Sequence, residues 1–441
     1  MKDKSFNEIL SGSMWTFGAK IISVLFGFVL YFIITRYYGA ESMGTFSIIN
    51  SVLMIALLFS LHGTNTAILR FIPEHITKYS KESSLNIFRQ MLYIVLFFSL
   101  VVSFLIYINS DFIANYFFHD QTLIPLLSLA VFFIIFQAIG TLNMEALRAF
   151  KSVKIYALMQ IFSPLSKLII LLLLTGIYYQ LNNPIYALLY SHLALVMVSI
   201  IALWFVFKDK KTIDQNDNKI VKYIKIKDLF SISFPMFLTS AMYIVMSQTD
   251  ILMLGSLATM SDVGVYAVVV KLATLTVFIL TSINAIVAPK FSELYHSSKI
   301  EELKNIAQKS SKLMFWGSLP VIIVNIFFGL FILQLFGDEF ARGYYALLFL
   351  SIGYFVNSLV GSVGYLLNMS GHQKALNKIV IFGGLVNIIL NYLLIPIYGI
   401  YGAAFASMIS MILWNLLASL YIKKIFGFYI FYVPINLKIK G

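Results

Sequence analysis

Runs of about 20 mostly apolar residues, the length at which a helix crosses a bilayer core of roughly 30 Å, recur along the chain with short polar breaks between them. Twelve are predicted, at 14–35, 44–65, 88–108, 123–144, 155–176 and 185–207, then at 229–253, 263–288, 313–335, 344–367, 379–396 and 399–422. The expected fold class is therefore an all-α polytopic membrane protein. Lys2 and Lys4 ahead of the first run imitate a secretory signal. Its spanning length and the lack of a small-x-small cleavage site mark it instead as an uncleaved first helix.

The sharpest polar interruption is KDKKTIDQNDNKIVKYIKIKD at 208–228, with seven lysines and four aspartates. A charged run of this kind reads as a solvated linker without chemistry of its own. It divides the chain into an N-terminal six-helix lobe (1–207), the basic linker (208–228), a C-terminal six-helix lobe (229–425) and a tail (426–441). Positive charge stays on the cytoplasmic side of a membrane. With the N-terminus inside, the outer loops hold only Arg36 and Arg342 as cations, against Glu41, Asp111, Asp120, Asp262, Asp338 and Glu339. Nearly all other Lys and Arg fall inside, which predicts that both termini are cytoplasmic. The inner segment 290–312, with KIEELKNIAQKSSK, is expected to be either an amphipathic helix along the membrane surface or a plain linker. The tail is too short for two more spans.

Laid on itself at an offset of about 220 residues, the chain repeats weakly. SMGTFSI from Ser42 falls on DVGVYAV from Asp262, and Leu69-Arg70-Phe71 falls on Pro289-Lys290-Phe291. Leu142-Asn143-Met144 recurs as Leu367-Asn368-Met369, and Pro184-Ile185-Tyr186 as Pro396-Ile397-Tyr398. A duplicated six-helix unit has an even helix count, so its copies share one orientation about an axis along the membrane normal.

Composition agrees: 60% of the residues are hydrophobic and 12% charged, against about 45–50% and about 25% in ordinary soluble domains. The net charge of +13 follows the positive-inside pattern, so no nucleic-acid partner is expected. With no cysteine, disulfides, thiol nucleophiles and cysteine-ligated metals are excluded. GxxxxGK[ST], HExxH and the dinucleotide glycine fingerprint are also missing, and no cofactor is expected.

RYYGAESMGTFSI after the first helix, MSDVGVYAVV after the seventh, PKFSEL after the eighth and YGIYGAAFAS at the twelfth resemble the polysaccharide transporters. These are the O-antigen type oligosaccharide-lipid flippases, in the superfamily shared with multidrug and toxic-compound extruders and lipid II flippases. The resemblance covers essentially the whole chain. It implies two lobes around a cavity lined chiefly by the first, second, seventh and eighth helices, opening alternately to either side. It also implies the cargo, a polyprenyl (undecaprenyl) diphosphate-linked oligosaccharide crossing the bacterial inner membrane, with polysaccharide assembly proteins as further partners.

An anionic headgroup needs cations along a wet path, because an unpaired charge in lipid costs several kcal/mol. Arg70 and Lys290 are repeat mates at the inner ends of helices two and eight, either headgroup ligands or ordinary positive-inside anchors. Lys271 lies roughly 12 Å into helix eight, at a depth comparable to Asp250 on helix seven. The two are expected to pair, either structurally or as a switch released by substrate or protonation. Lys20 snorkels or faces the cavity. Lys167, deep in helix five and three residues beyond Pro164, is expected to face the cavity or a partner. Arg70, Lys271, Lys290, Lys167 and Lys20 are thus the candidate substrate cations, and Asp250 is the coupling or gating candidate, with H+ or Na+ as coupling ion. Glu145 and Arg148 read as a surface pair. His62 and His192 read as packing residues, and Gly399, Ala403 and Ser407 as small-residue helix packing. The alternatives are a cation-coupled multidrug exporter of the same fold and, more remotely, a membrane-integral oligosaccharide polymerase or ligase, for which the outer loops are short.

Overall fold

A computed structural model describes residues 2–208 and 226–432. Among the described residues the chain is helical, without strands, and ten helices are long and apolar enough to cross a membrane. It is a multi-pass membrane protein. The elements in order are α1 (Lys2–Leu61), α2 (Thr64–Lys78), α3 (Lys81–Ile108), α4 (Ser110–Phe112), a π-helical turn (Ile113–Phe117), α5 (Leu123–Ala149), α6 (Val153–Ile177) and α7 (Asn183–Lys208). There follow α8 (Ile226–Leu257), α9 (Met260–Ala273), α10 (Leu275–His296), α11 (Ile300–Phe336), a 3-10 turn (Asp338–Gly343), α12 (Tyr344–Val360), α13 (Val363–Met369), α14 (Gln373–Tyr398) and α15 (Ile400–Phe426). Packing groups them into two compact units: Met1–Tyr38 with Thr45–Ser247, and Gly39–Gly44 with Gln248–Gly441.

In the first unit α5 packs against α3, α6 and α7, and α2 against α3 and α5. Ile68, Ile72, Ile87, Met91, Leu142 and Leu147 form part of their shared buried core. The first two predicted spans are one helix, α1, broken at Gly39, where φ 80° and ψ −179° suit a residue without a Cβ. The second span ends at Leu61, because His62 and Gly63 both take positive φ. A Cβ on Gly63 would run into the Ser233 carbonyl of α8. His62 stacks between Phe98 (4.5 Å between centroids) and Phe237 (4.8 Å), so its place is a packed aromatic layer. The Ser80 side chain accepts from the Ser83 N–H at 3.0 Å and starts α3.

In the second unit α15 packs against α12 and α14, and α11 against α10 and α12. The eighth predicted span is two helices, α9 and α10, meeting at Thr274, whose hydroxyl donates to the Lys271 carbonyl at 2.9 Å. The tenth stops at Val360, where Gly361 turns out of the helix with φ 84°. The segment 290–312 is not a separate surface element: α10 runs to His296, and α11 is continuous from Ile300 to Phe336. Beyond α15 the chain doubles back. Gln308 donates to the Tyr429 carbonyl at 2.8 Å, and the Tyr432 N–H to the Leu359 carbonyl at 3.1 Å. Most of the expected linker, 209–225, and residues 433–441 of the tail lie outside the described residues.

Candidate functional site

The second unit buries a carboxylate in the middle of apolar helices. Asp250, on α8, is 8% exposed. Its position is fixed from three sides. Thr259 and Asp262 form a capping box that starts α9, and α9 then aims the hydroxyl of the fully buried Tyr266 at Asp250 Oδ2, 2.7 Å away. On α14, Asn387 and Asn391 are four residues apart and so share one helix face. Their side-chain nitrogens donate to Asp250 Oδ1 at 3.2 and 2.7 Å. On α15, the Ser407 hydroxyl donates to Asp250 Oδ2. Asn387 also donates to Ser407 (3.1 Å) and accepts from Asn391 (3.1 Å).

Every one of these donors is neutral, and together they fill the four acceptor positions of a carboxylate. A buried charge is tolerable only when hydrogen-bonded in this way. One oxygen remains over: Asn391 Oδ1 is buried without a partner. A single carboxylate among amide and hydroxyl oxygens is an all-oxygen set of the kind that suits a hard cation. Rotation of the two amides would present their oxygens to such a cation. Among the described residues no group of three or more His, Cys, Asp and Glu is arranged so that it could hold a metal ion.

The pair expected between Asp250 and Lys271 is not formed; Tyr266, Asn387, Asn391 and Ser407 occupy the carboxylate instead. Tyr266 and Lys271 are five residues apart on α9, about 140° around the helix, so the face that presents Tyr266 to Asp250 turns Lys271 away. Lys271, half-buried, is in the last turn of α9, where a cation meets the negative end of the helix dipole. Lys167 is half-buried on α6, and Lys20 is exposed on α1. Arg70 is exposed on α2. Lys290, 44% exposed, pairs with Glu293 at 2.6 Å. Glu145 and Arg148 form their pair at 3.4 Å. Ser407, expected only to let helices approach, is a ligand of the Asp250 carboxylate. The close approach on α15 belongs to Gly402, whose Cβ would meet the Leu394 carbonyl. Sequence reasoning also missed Tyr266, Asn387 and Asn391. The available signal was a pair of asparagines four apart inside an apolar run.

Residues 9–295 match the family described as polysaccharide biosynthesis protein, and residues 235–393 match MatE. The chain is 23% identical to the capsular polysaccharide biosynthesis protein CapF of Staphylococcus aureus, over 93% of this chain and 98% of that protein. It is 29% identical to the probable flippase AglR of Haloferax volcanii, in a match spanning 39% of this chain and 37% of AglR. Two solved structures share its fold. An inward-facing multidrug resistance MATE family transporter superposes with a TM-score of 0.74 at 15% identity, covering 94% of this chain and 98% of the other. Lipid II flippase MurJ in an inward closed conformation gives 0.72 at 17% identity, covering 94% and 87%.

Proposed function

The chain belongs to the polysaccharide biosynthesis protein family, and on that premise we propose that it is a flippase for polyprenyl (undecaprenyl) diphosphate-linked oligosaccharides in the bacterial inner membrane. The observation that carries the reading is the family match over 9–295, which takes in more than half of the chain. The near full-length similarity to CapF, named for capsular polysaccharide biosynthesis, supports the cargo class. In this reading twelve helices form two six-helix lobes, 1–207 and 229–425, joined by the linker 208–228 and followed by the tail 426–441, with both termini cytoplasmic. The ten long apolar helices support it once α1 is counted as two passes at its Gly39 break and α8 as a further one.

The mechanism assigns two kinds of residue. Arg70, exposed in the middle of α2, and Lys290, half-exposed six residues before the end of α10, collect the diphosphate from the cytoplasmic leaflet. Lys20, Lys167 and Lys271 offer further positive charge along its path, where low dielectric strengthens their attraction for phosphate. Asp250 couples transport to H+ or Na+: its hydrogen-bond set is complete without an ion, so taking up a cation or proton must rearrange Asn387, Asn391 and Ser407. Polysaccharide assembly proteins are the expected partners downstream.

The test is translocation itself. Deleting the gene should leave the lipid-linked oligosaccharide on the cytoplasmic leaflet, and restoring it should clear that accumulation. A second reading, a cation-coupled multidrug exporter, draws on the MatE match over 235–393. Unchanged glycolipid together with lost drug resistance would decide for it.

A further inference from the structure

Within the first unit, the Ser23 hydroxyl of α1 donates to the Gln160 carbonyl of α6 at 2.8 Å and pins the two helices together. Toward their N-terminal ends the same helices leave a recess of about 290 Å³. Its lining explains the gap. Gly18, Ala19 and Ala157 are too small to fill the space between the backbones, and Ile22, Leu158 and Ile161 wall it with hydrocarbon. A Cβ on Gly18 would meet no atom within 4 Å. The lining recurs at intervals of three and four residues on both helices, so each contributes one continuous face.

One turn nearer the start of each helix, the same two faces carry Trp15 and Lys154. They meet across the mouth of the recess, with Lys154 Nζ 5.9 Å from the centre of the Trp15 ring. The spanning part of α1 begins at Met14 and that of α6 at Val153, which puts this pair at the level of the lipid headgroups. Lys151, exposed in the turn before α6, adds a second positive charge. Glu145, the acid of the α5–α6 corner, is already engaged by Arg148. The arrangement is an apolar slot with a cationic mouth.

We propose that the recess and its mouth form a binding site for an anionic glycerophospholipid of the cytoplasmic leaflet, with one acyl chain between α1 and α6 and the phosphate on Lys154. Basic pockets between spanning helices on that side hold such headgroups. From Met14 to Ile22 the slot runs roughly 12 Å, inside the roughly 15 Å of hydrocarbon in one leaflet. That length fits an acyl chain and stops far short of a polyprenyl chain. The bound chain completes the packing of α1 on α6. The choice of leaflet rests on the orientation given above, whereas the site itself depends neither on flipping nor on cargo.

Trp15 is a built-in reporter. Trp204→Phe, Trp316→Phe and Trp414→Phe leave it as the sole tryptophan, and the protein is placed in phosphatidylcholine nanodiscs with a minor fraction of lipid brominated on its acyl chains. Brominated phosphatidylglycerol should quench Trp15 more than brominated phosphatidylcholine does at the same fraction. Lys154→Gln should lower that preference about fivefold, the factor for one cation near the lipid surface. Gly18→Leu, which fills the slot, should abolish it, and Lys309→Gln, at an exposed lysine of α11, should leave it unchanged. In the chain with all its tryptophans, native mass spectrometry should show phosphatidylglycerol retained over phosphatidylcholine, and Gly18→Leu should remove that excess. Equal quenching by the two lipids overturns the site, and so does a preference that survives Gly18→Leu. An equal fall with Lys309→Gln and Lys154→Gln overturns it too, because the net charge of the surface would then be the cause. Quenching relieved by an equal fraction of polyprenyl phosphate would give the slot to the carrier lipid and overturn its assignment to a phospholipid.

Discussion

Asn391 donates to Asp250 at 2.7 Å, yet its own side-chain oxygen is buried with no partner. Its nitrogen gives two bonds, to Asp250 and to Asn387, while the orphan oxygen costs about 1–3 kcal/mol where it stands. A cation beside Asp250 would recover that cost. Asp250→Asn, which keeps shape and removes charge, should abolish the stimulation of flipping by an ion gradient and lower net transport about tenfold or more. Proteoliposomes with imposed Na+ or H+ gradients read this directly and identify the ion. Full gradient response in the variant would remove Asp250 from coupling.

Lys271→Gln and Arg70→Gln test the cationic path. Each removes a positive charge without a large change in volume, so both proteins should insert and fold while flipping falls about tenfold. Wild-type flipping by both variants would mean that these side chains are anchors and helix-end counter-charges only.

The spans were legible because a bilayer imposes one simple rule on every twenty-residue window. The breaks within them were not. Thr274 and His62 look like ordinary members of apolar runs, and only the packing around them shows where the helix stops. The expected Asp250–Lys271 pairing came from counting depth alone, which places both residues at one level. Depth says nothing of rotation about the helix, and rotation separates them. Asn387, Asn391 and Tyr266 do not stand out in the sequence, because neutral polar residues add nothing to a tally of charge. A buried carboxylate among helices needs neutral donors as much as it needs a counter-ion. Arg148 and Glu145 were readable because their pairing depends only on spacing along a single helix.

Gly63→Ala should be costly. Its φ of 78° and the Ser233 carbonyl above it leave no room for a methyl group. The expected loss is about 1–3 kcal/mol, seen as earlier thermal unfolding in detergent. An unchanged melting temperature would mean that the break after Leu61 tolerates a Cβ.

Glu145→Gln should do almost nothing. The Glu145 carboxylate is only 20% exposed, but the Arg148 guanidinium that it pairs with at 3.4 Å is more than half exposed, and a pair screened by solvent on that side contributes about 0–1 kcal/mol. Expression, melting temperature and flipping should all match the parent. A clear defect would promote Glu145 to a functional position.

Ser407 separates two explanations for one small residue. It falls in the Gly399, Ala403, Ser407 spacing, and if its role were close helix approach, Ala would serve as well or better, having no hydroxyl to bury. Its hydroxyl, however, donates to Asp250 and accepts from Asn387. Ser407→Ala therefore strips one donor from a buried carboxylate and one acceptor from a buried amide, at about 1–3 kcal/mol for the unmatched groups. Ser407→Thr restores the hydroxyl and adds a methyl. If hydrogen bonding to Asp250 governs, Ala should lower both the melting temperature and the gradient-driven rate, while Thr keeps the ion dependence and loses some stability through crowding. If packing governs, the order reverses, with Ala matching the parent and Thr the damaged variant.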